Sequence, residues 1–244
     1  MDPATGSLGP VDPDPRLSST DTVDHRAGLR MARGSAQRHE QACRELRVGS
    51  GLLVAVGLVG LYLAFRPGST DLDGWIVHLV RPSRNGTLAG VTSLRFPQWV
   101  ILGAVLIAAT AFPRDRLRSL ACLVGPALAL VSCELIVKPL VGRHVGEGLA
   151  YPSGSTVGAA ALATAAVMAV PDRWRTATAV VGAVYTLWMS VAVIALQWHY
   201  PTDALAGVAY GVGVVLVVDG VIVWVGTSLR GWTGGRRPVA SRGG

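Results

Sequence analysis

The residues able to do chemistry fall in three short stretches, the last being Gln197-Trp198-His199-Tyr200-Pro201-Thr202-Asp203-Ala204-Leu205-Ala206-Gly207. Pro201 suits the first position of a helix, where its missing N–H costs nothing. Thr202 and Asp203 then fall in the first turn, where the helix dipole favours a carboxylate. His199 lies just before that turn, near enough for Asp203 to accept its Nδ1 proton and fix the tautomer. Nε2 then carries the lone pair that a nucleophile or general base needs. A turn histidine capped by a nearby aspartate fits this stretch equally well, so the choice rests on residues upstream.

Upstream, Glu134 stands four residues before Lys138, a pairing that mitigates the cost of a carboxylate near a membrane span. Lys138 is the only lysine among 22 basic residues. In a chain that otherwise uses arginine, this points to a site that wants a compact ammonium; a snorkelling interfacial lysine is the plainer alternative. Arg143 and His144 follow. The middle stretch is Tyr151-Pro152-Ser153-Gly154-Ser155-Thr156, where a helix begins with its N–H groups pointing outward. Such a terminus is an anion site with phosphate as its usual occupant, against the plain reading of a Ser/Thr N-cap.

The elements that must position these residues are membrane spans. Of 244 residues half are hydrophobic and 15% charged, far from the balance of a soluble globular chain. The apolar runs predict an all-α, six-span transmembrane bundle, with spans at about 49–65, 98–112, 117–137, 154–170, 177–196 and 204–225. The second and fourth are short and need flanking residues to complete them. Residues 49–225 form this domain. Before it lies a cytoplasmic tail, 1–48, disordered over 1–25 and basic and more helix-prone from Arg26 to Arg47; after it lies a basic cytoplasmic tail, 226–244. Met31 is an alternative start. The first apolar run begins too far in for a signal peptide.

Placing both termini in the cytoplasm puts sixteen basic residues inside and six outside, which the positive-inside rule favours. The motif loops 138–153 and 197–203 then face the extracytoplasmic side. The net charge of +7 reflects this topology and attraction to anionic headgroups, and nucleic acid is not an expected partner. Cys43, Cys122 and Cys133 suggest neither a disulfide framework nor a metal site. In the loop 66–97, Ser69-Thr70-Asp71 caps a short interfacial helix through Trp75, Ile76 and Leu79, with His78 as an interfacial side chain. Asn85-Gly86-Thr87 is a turn that also fits a glycosylation sequon.

Together the pieces resemble the type-2 phosphatidic acid phosphatase family, which shares its catalytic core with the vanadium haloperoxidases. That family's pattern is Lys, six residues, Arg-Pro; then Pro-Ser-Gly-His; then Ser-Arg, five residues, His, three residues, Asp. HYPTDALAG resembles the third motif, YPSG the second, and KPLVGR the opening of the first. The resemblance implies that His199 attacks phosphorus to give a phosphohistidine with Asp203 orienting it. It implies that Lys138 binds the phosphoryl group at a helix start formed by Ser153 and Gly154, and that no metal or other cofactor is needed. The chain departs from the pattern in three places. Val145-Gly146 stand where Arg-Pro is expected, Ser155 where the general-acid histidine is expected, and Ala192-Val193 where Ser-Arg is expected. Arg143 is the candidate replacement for a phosphate-binding arginine, His144 for the proton donor, and Ser155 occupies the acid's position.

Two functions follow from this resemblance. One is hydrolysis of a lipid phosphate or prenyl pyrophosphate at the outer face of a bacterial plasma membrane. The other is a catalytically impaired relative that binds a lipid headgroup or scaffolds a protein partner. General-acid loss alone typically lowers a rate by about 10²–10⁴, so a pyrophosphate, with its better leaving group, is the easier substrate.

Overall fold

A computed structural model describes residues 17–66, 68–80, 90 and 92–234; the Asn85-Gly86-Thr87 sequon and the segments 1–16 and 235–244 lie outside them. The chain divides into two compact units, Met1–Arg38 and His39–Gly244, and the candidate site lies in the second. Helix α1 runs Leu17–Phe65, so 17–25, within the stretch expected to be disordered, is helical, while 1–16 lies outside the described residues. The physical reason is that propagation adds one bond for each residue fixed, through a stretch rich in Ala, Arg, Glu and Gln.

The short helix α2 (Asp71–Leu79) starts at a capping box in which Thr70 and Asp73 satisfy each other's backbone N–H groups. A 3₁₀ turn at Thr92–Arg95 precedes α3 (Pro97–Ala111). Helix α4 (Arg116–Ser132) is capped by Asp115, which accepts from the Leu117 and Arg118 N–H groups. It continues through a π turn, Cys133–Val137, into a last turn at Lys138–Val141. A hairpin of two-residue strands follows, β1 (His144–Val145) and β2 (Gly148–Leu149), the one break in an otherwise helical set of described residues. Then come α5 (Gly154–Ala169), α6 (Asp172–Ala195) and α7 (Pro201–Gly234).

Among the described residues, four helical stretches are long and apolar enough to cross a membrane: Ala36–Phe65, Arg116–Val141, Asp172–Ala195 and Pro201–Leu229. Helices α3 and α5 are apolar but shorter, spanning about 22–24 Å at 1.5 Å per residue. Helix α5 is the hub. Ala159, Ala160, Ala161, Ala165 and Ala169 on it are buried, and small side chains let neighbouring backbones approach. On α7, a Cβ at Gly207 would stand only 2.8 Å from the Ser153 carbonyl oxygen, so the second and third motifs meet only because this position is glycine.

The end of α4 opposite Lys138 has its own charged cluster. Arg118 lies 3.6 Å from Asp219 of α7 and 3.9 Å from Glu45 of α1, which gives the intramembrane carboxylate Asp219 a cation. Cys122 and Cys133 are free and buried, and their thiols donate to the Ala165 and Pro152 carbonyls.

Candidate functional site

The π turn places the first pair. Its extra residue lets the Lys138 N–H bond to the Cys133 carbonyl, and such bulges often sit at functional positions. Lys138 Nζ lies 2.8 Å from Glu134 Oε1, the lysine mostly covered and the glutamate half-exposed. The Glu134 carboxylate rests against Gly154, so a side chain there would have to displace it, and the Lys138 ammonium stands beside it. Lys138 thus reaches the N-terminus of α5, as a phosphate ligand would, but it arrives already paired. Glu134→Gln removes the competing negative charge; anion affinity, read as vanadate-dependent thermal stabilisation, should rise about tenfold, equivalent to about 1.4 kcal/mol.

The helix ends at Gly142, whose φ of 64° is left-handed and whose N–H bonds to the Lys138 carbonyl. The hairpin then occupies the place where Arg-Pro was expected. Its two-residue loop, Gly146-Glu147, has Gly146 at φ 60°, the first central position that II′ hairpin turns reserve for glycine. His144 is exposed on β1, its Nδ1 within 2.8 Å of the Gly142 carbonyl.

Arg143 takes a different place from the open phosphate pocket expected of it. It is fully buried. Nη1 donates to Asp203 Oδ1 and Thr202 Oγ1, each at 2.7 Å, and Nη2 donates to Asp73 Oδ2 at 2.8 Å and the Gly68 carbonyl at 2.9 Å. Its guanidinium also lies 4.4 Å from the centre of the Tyr200 ring. The cause is electrostatic: Asp73 and Asp203 are both wholly covered, and two buried carboxylates need a shared cation. Burial alone would raise the Asp73 carboxyl, but bonds from Thr70, Thr202 and Arg143 outweigh it and hold the group below its usual value of 3.8. A lowered value means that this contribution is complete above pH 3.8 and disappears as pH falls through the folded-state value. The Asp73 contribution therefore predicts that cleavage in the 66–80 region by an acid-active protease rises as pH falls below 3.8.

Helix α6 closes on a Schellman pair, Trp198 N–H to the Val193 carbonyl and Gln197 N–H to the Ile194 carbonyl, with Gln197 left-handed at φ 57°. That turn delivers His199. Glycine fits this conformation better than glutamine, so Gln197→Gly should stabilise the fold by about 1 kcal/mol, measurable as a rise in Tm.

His199 Nδ1 lies 2.9 Å from the Ala150 carbonyl. A carbonyl only accepts, so Nδ1 carries the proton and neutral His199 presents its lone pair at Nε2. The orienting role assigned to Asp203 is filled here by a backbone atom. Asp203 instead pairs with Arg143 and accepts the Tyr200 N–H at 2.9 Å. The backbone holds the assembly closed: Ala150 N–H bonds to the Arg143 carbonyl, and Ser153 N–H to the Asp203 carbonyl. Ser153 and Ser155 are buried at the start of α5, Ser153 Oγ accepting from Thr156. Tyr151 donates to the Val56 carbonyl of α1 at 2.7 Å, and burial pushes its phenol pKa upward. Among the described residues, no group of three or more His, Cys, Asp or Glu stands close enough to hold a metal.

The PAP2 superfamily pattern matches residues 98–226, more than half of the chain. The chain belongs to the PAP2 superfamily. Its fold is similar to a crystal structure described as the first transmembrane PAP2 type phosphatidylglycerolphosphate phosphatase from Bacillus subtilis, at a TM-score of 0.52 and 19% identity. The match covers 76% of this chain and 98% of that one. No curated protein matches. This PAP2 chain is therefore an integral membrane protein.

Two members of the PAP2 site had no signal in the motifs. Asp73 reaches it from α2, about 70 residues before Arg143, and its capping-box position disclosed only its local bond. Ala150 acts through its carbonyl, which leaves no trace in residue type.

Proposed function

We propose that the protein hydrolyses a lipid pyrophosphate or phosphate at the outer face of the membrane, through a phosphohistidine on His199. The observation that carries this reading is the His199–Ala150 bond, which supplies the nucleophilic tautomer without Asp203. Six crossings complete the topology, α3 and α5 being extended by their flanking residues, with both termini cytoplasmic.

In the first step Nε2 attacks the terminal phosphorus. The N–P bond forms, the bridging P–O bond breaks, and lipid monophosphate leaves as an anion without needing a protonated donor. Lys138 and the N–H groups at the start of α5 stabilise the transferring oxygens. Water then attacks the phosphohistidine, releasing inorganic phosphate and restoring the imidazole. A pyrophosphate fits better than a monoester because Ser155 cannot act as the acid. Arg143 contributes by fixing the first turn of α7, not by touching phosphate.

One observation favours the second reading, a catalytically impaired relative: Glu134 already neutralises Lys138. Phosphate release from a panel of lipid monophosphates and pyrophosphates separates the two. Turnover greatest on pyrophosphates and absent in His199→Ala is the expected result; no turnover on any lipid would overturn the catalytic reading.

A further inference from the structure

We propose that Glu45 and Asp219 share one proton, which latches α1 to α4 and α7 at the end of the bundle opposite the phosphate site. The place is remote from that site, because α7 runs about 24 Å from Asp203 to Asp219 at 1.5 Å per residue. Three helices meet here. Glu45 comes from α1, Arg118 from α4 and Asp219 from α7, Glu45 being 8% exposed and Asp219 wholly covered. Helices α1 and α7 approach closely: a Cβ at Gly220 would stand 2.7 Å from Leu46 Cγ and 3.0 Å from the Ala42 carbonyl oxygen.

Charge alone demands a further positive group. As carboxylates, Glu45 and Asp219 set two negative charges against the one guanidinium of Arg118. It lies 3.9 Å from Glu45 and 3.6 Å from Asp219, separations too long for hydrogen bonds. An uncompensated charge within a membrane span is costly and marks a functional position by default. The atoms make the same demand. Glu45 Oε1 accepts from Gln41 Nε2 at 2.8 Å. Among the described residues, Glu45 Oε2 and both Asp219 oxygens are buried without a donor, and Arg118 Nε is buried without an acceptor. The two carboxyls nonetheless face each other. Two ionised carboxylates can only accept, so neither satisfies the other. One O–H placed between them gives an oxygen on each side its partner and removes the excess charge.

The pair around Arg143 shows why the proton belongs to the inner cluster. Asp73 and Asp203 also share one arginine, yet each of their oxygens has a donor. The Thr70 and Thr202 N–H groups serve Asp73, while the Tyr200 N–H and Arg143 serve Asp203. The other titratable groups facing Asp219 come from α4 and its cap, Cys122 and Asp115. Asp115 is a further acid, and the Cys122 thiol already donates to the Ala165 carbonyl. With the proton in place α1 docks without a net charge at the contact. Its loss would leave two like charges facing each other across α1 and α7. Helix α1 also reaches the outer end of the bundle, where its Val56 carbonyl accepts from Tyr151, so the latch secures a helix that braces the second motif.

Infrared spectroscopy of the full chain in dodecyl maltoside, a detergent without a carbonyl group, provides the test. At neutral pH the parent should show a carboxylic-acid carbonyl band that shifts in D₂O. The band should vanish in both Asp219→Asn and Glu45→Gln, each of which leaves a single carboxylate for Arg118. Either single variant should keep the Tm of the parent, whereas the double variant, which strands Arg118, should lower it. Raising the pH removes the shared proton, so it should abolish the band and lower the Tm of the parent, with a smaller fall in Asp219→Asn. A parent with no acid band at neutral pH would overturn the proposal, as would a band that survives both single substitutions. So would a Tm that rises with added sodium or potassium in a parent lacking the band, since a metal cation would then hold the pair. Phosphate release plays no part in these readouts, so the latch and the catalytic reading fail separately.

Discussion

Arg143→Leu is expected to cost about 3–5 kcal/mol of stability, the typical effect of removing one partner from a buried ion pair. The substitution strands Asp73 and Asp203, both fully covered, and takes a donor from Thr202 and from the Gly68 carbonyl. Arg143→Lys should recover little, because one ammonium cannot reproduce the fork that reaches four acceptors on three segments. Denaturant or thermal unfolding in detergent reads the effect. Asp73→Asn combined with Arg143→Leu should be less damaging than the sum of the two, since the second change removes a charge already orphaned by the first. An Arg143→Leu protein within about 1 kcal/mol of the parent would mean that the network does not hold α2 and α7 together.

His199→Ala is expected to lower phosphate release by at least about 10⁴, the scale on which nucleophile removal acts in enzymes whose groups work as a unit. Stability should change little, because the side chain is only partly buried and its bond to the Ala150 carbonyl reaches a backbone atom that stays in place without it. His144→Ala is the matched control. That imidazole is exposed and held to the Gly142 carbonyl, so turnover should stay within about twofold of the parent. A large loss from His144→Ala would restore it as the proton donor and change the mechanism.

The spacing of motif residues made much of this site legible. Lys138 stands beside Gly154 at the start of α5, His199 bonds to the Ala150 carbonyl a few residues before it, and Gly207 is where α7 backs onto Ser153. The apolar runs located the other long helices to within about two turns, because a bilayer imposes length and composition together, but the first helix begins at Leu17, well before the expected 49. What stayed hidden has physical reasons. The role of Arg143 depends on Asp73 across about 70 residues of chain, a tertiary pairing with no periodic signature. Asp203 looked like the partner of His199 because four residues separate them, yet the stronger demand of a buried guanidinium claimed it. The hairpin at 144–149 was masked by the expectation of Arg-Pro, although Gly146 is the residue such a turn requires. Helix at 17–25 was hidden by polar composition, whereas the helix-prone character of Arg26 to Arg47 was legible.

The most direct measurement is to trap the phosphoenzyme. The purified protein in nanodiscs would be mixed with a long-chain lipid pyrophosphate labelled with ³²P in its terminal phosphate, quenched within milliseconds in alkali, and mapped by peptide. The predicted result is an acid-labile, alkali-stable label on the peptide containing His199, absent from His199→Ala and chased by water into inorganic phosphate. Phosphate release without a label on His199, or equal labelling of the His199→Ala protein, would contradict the account.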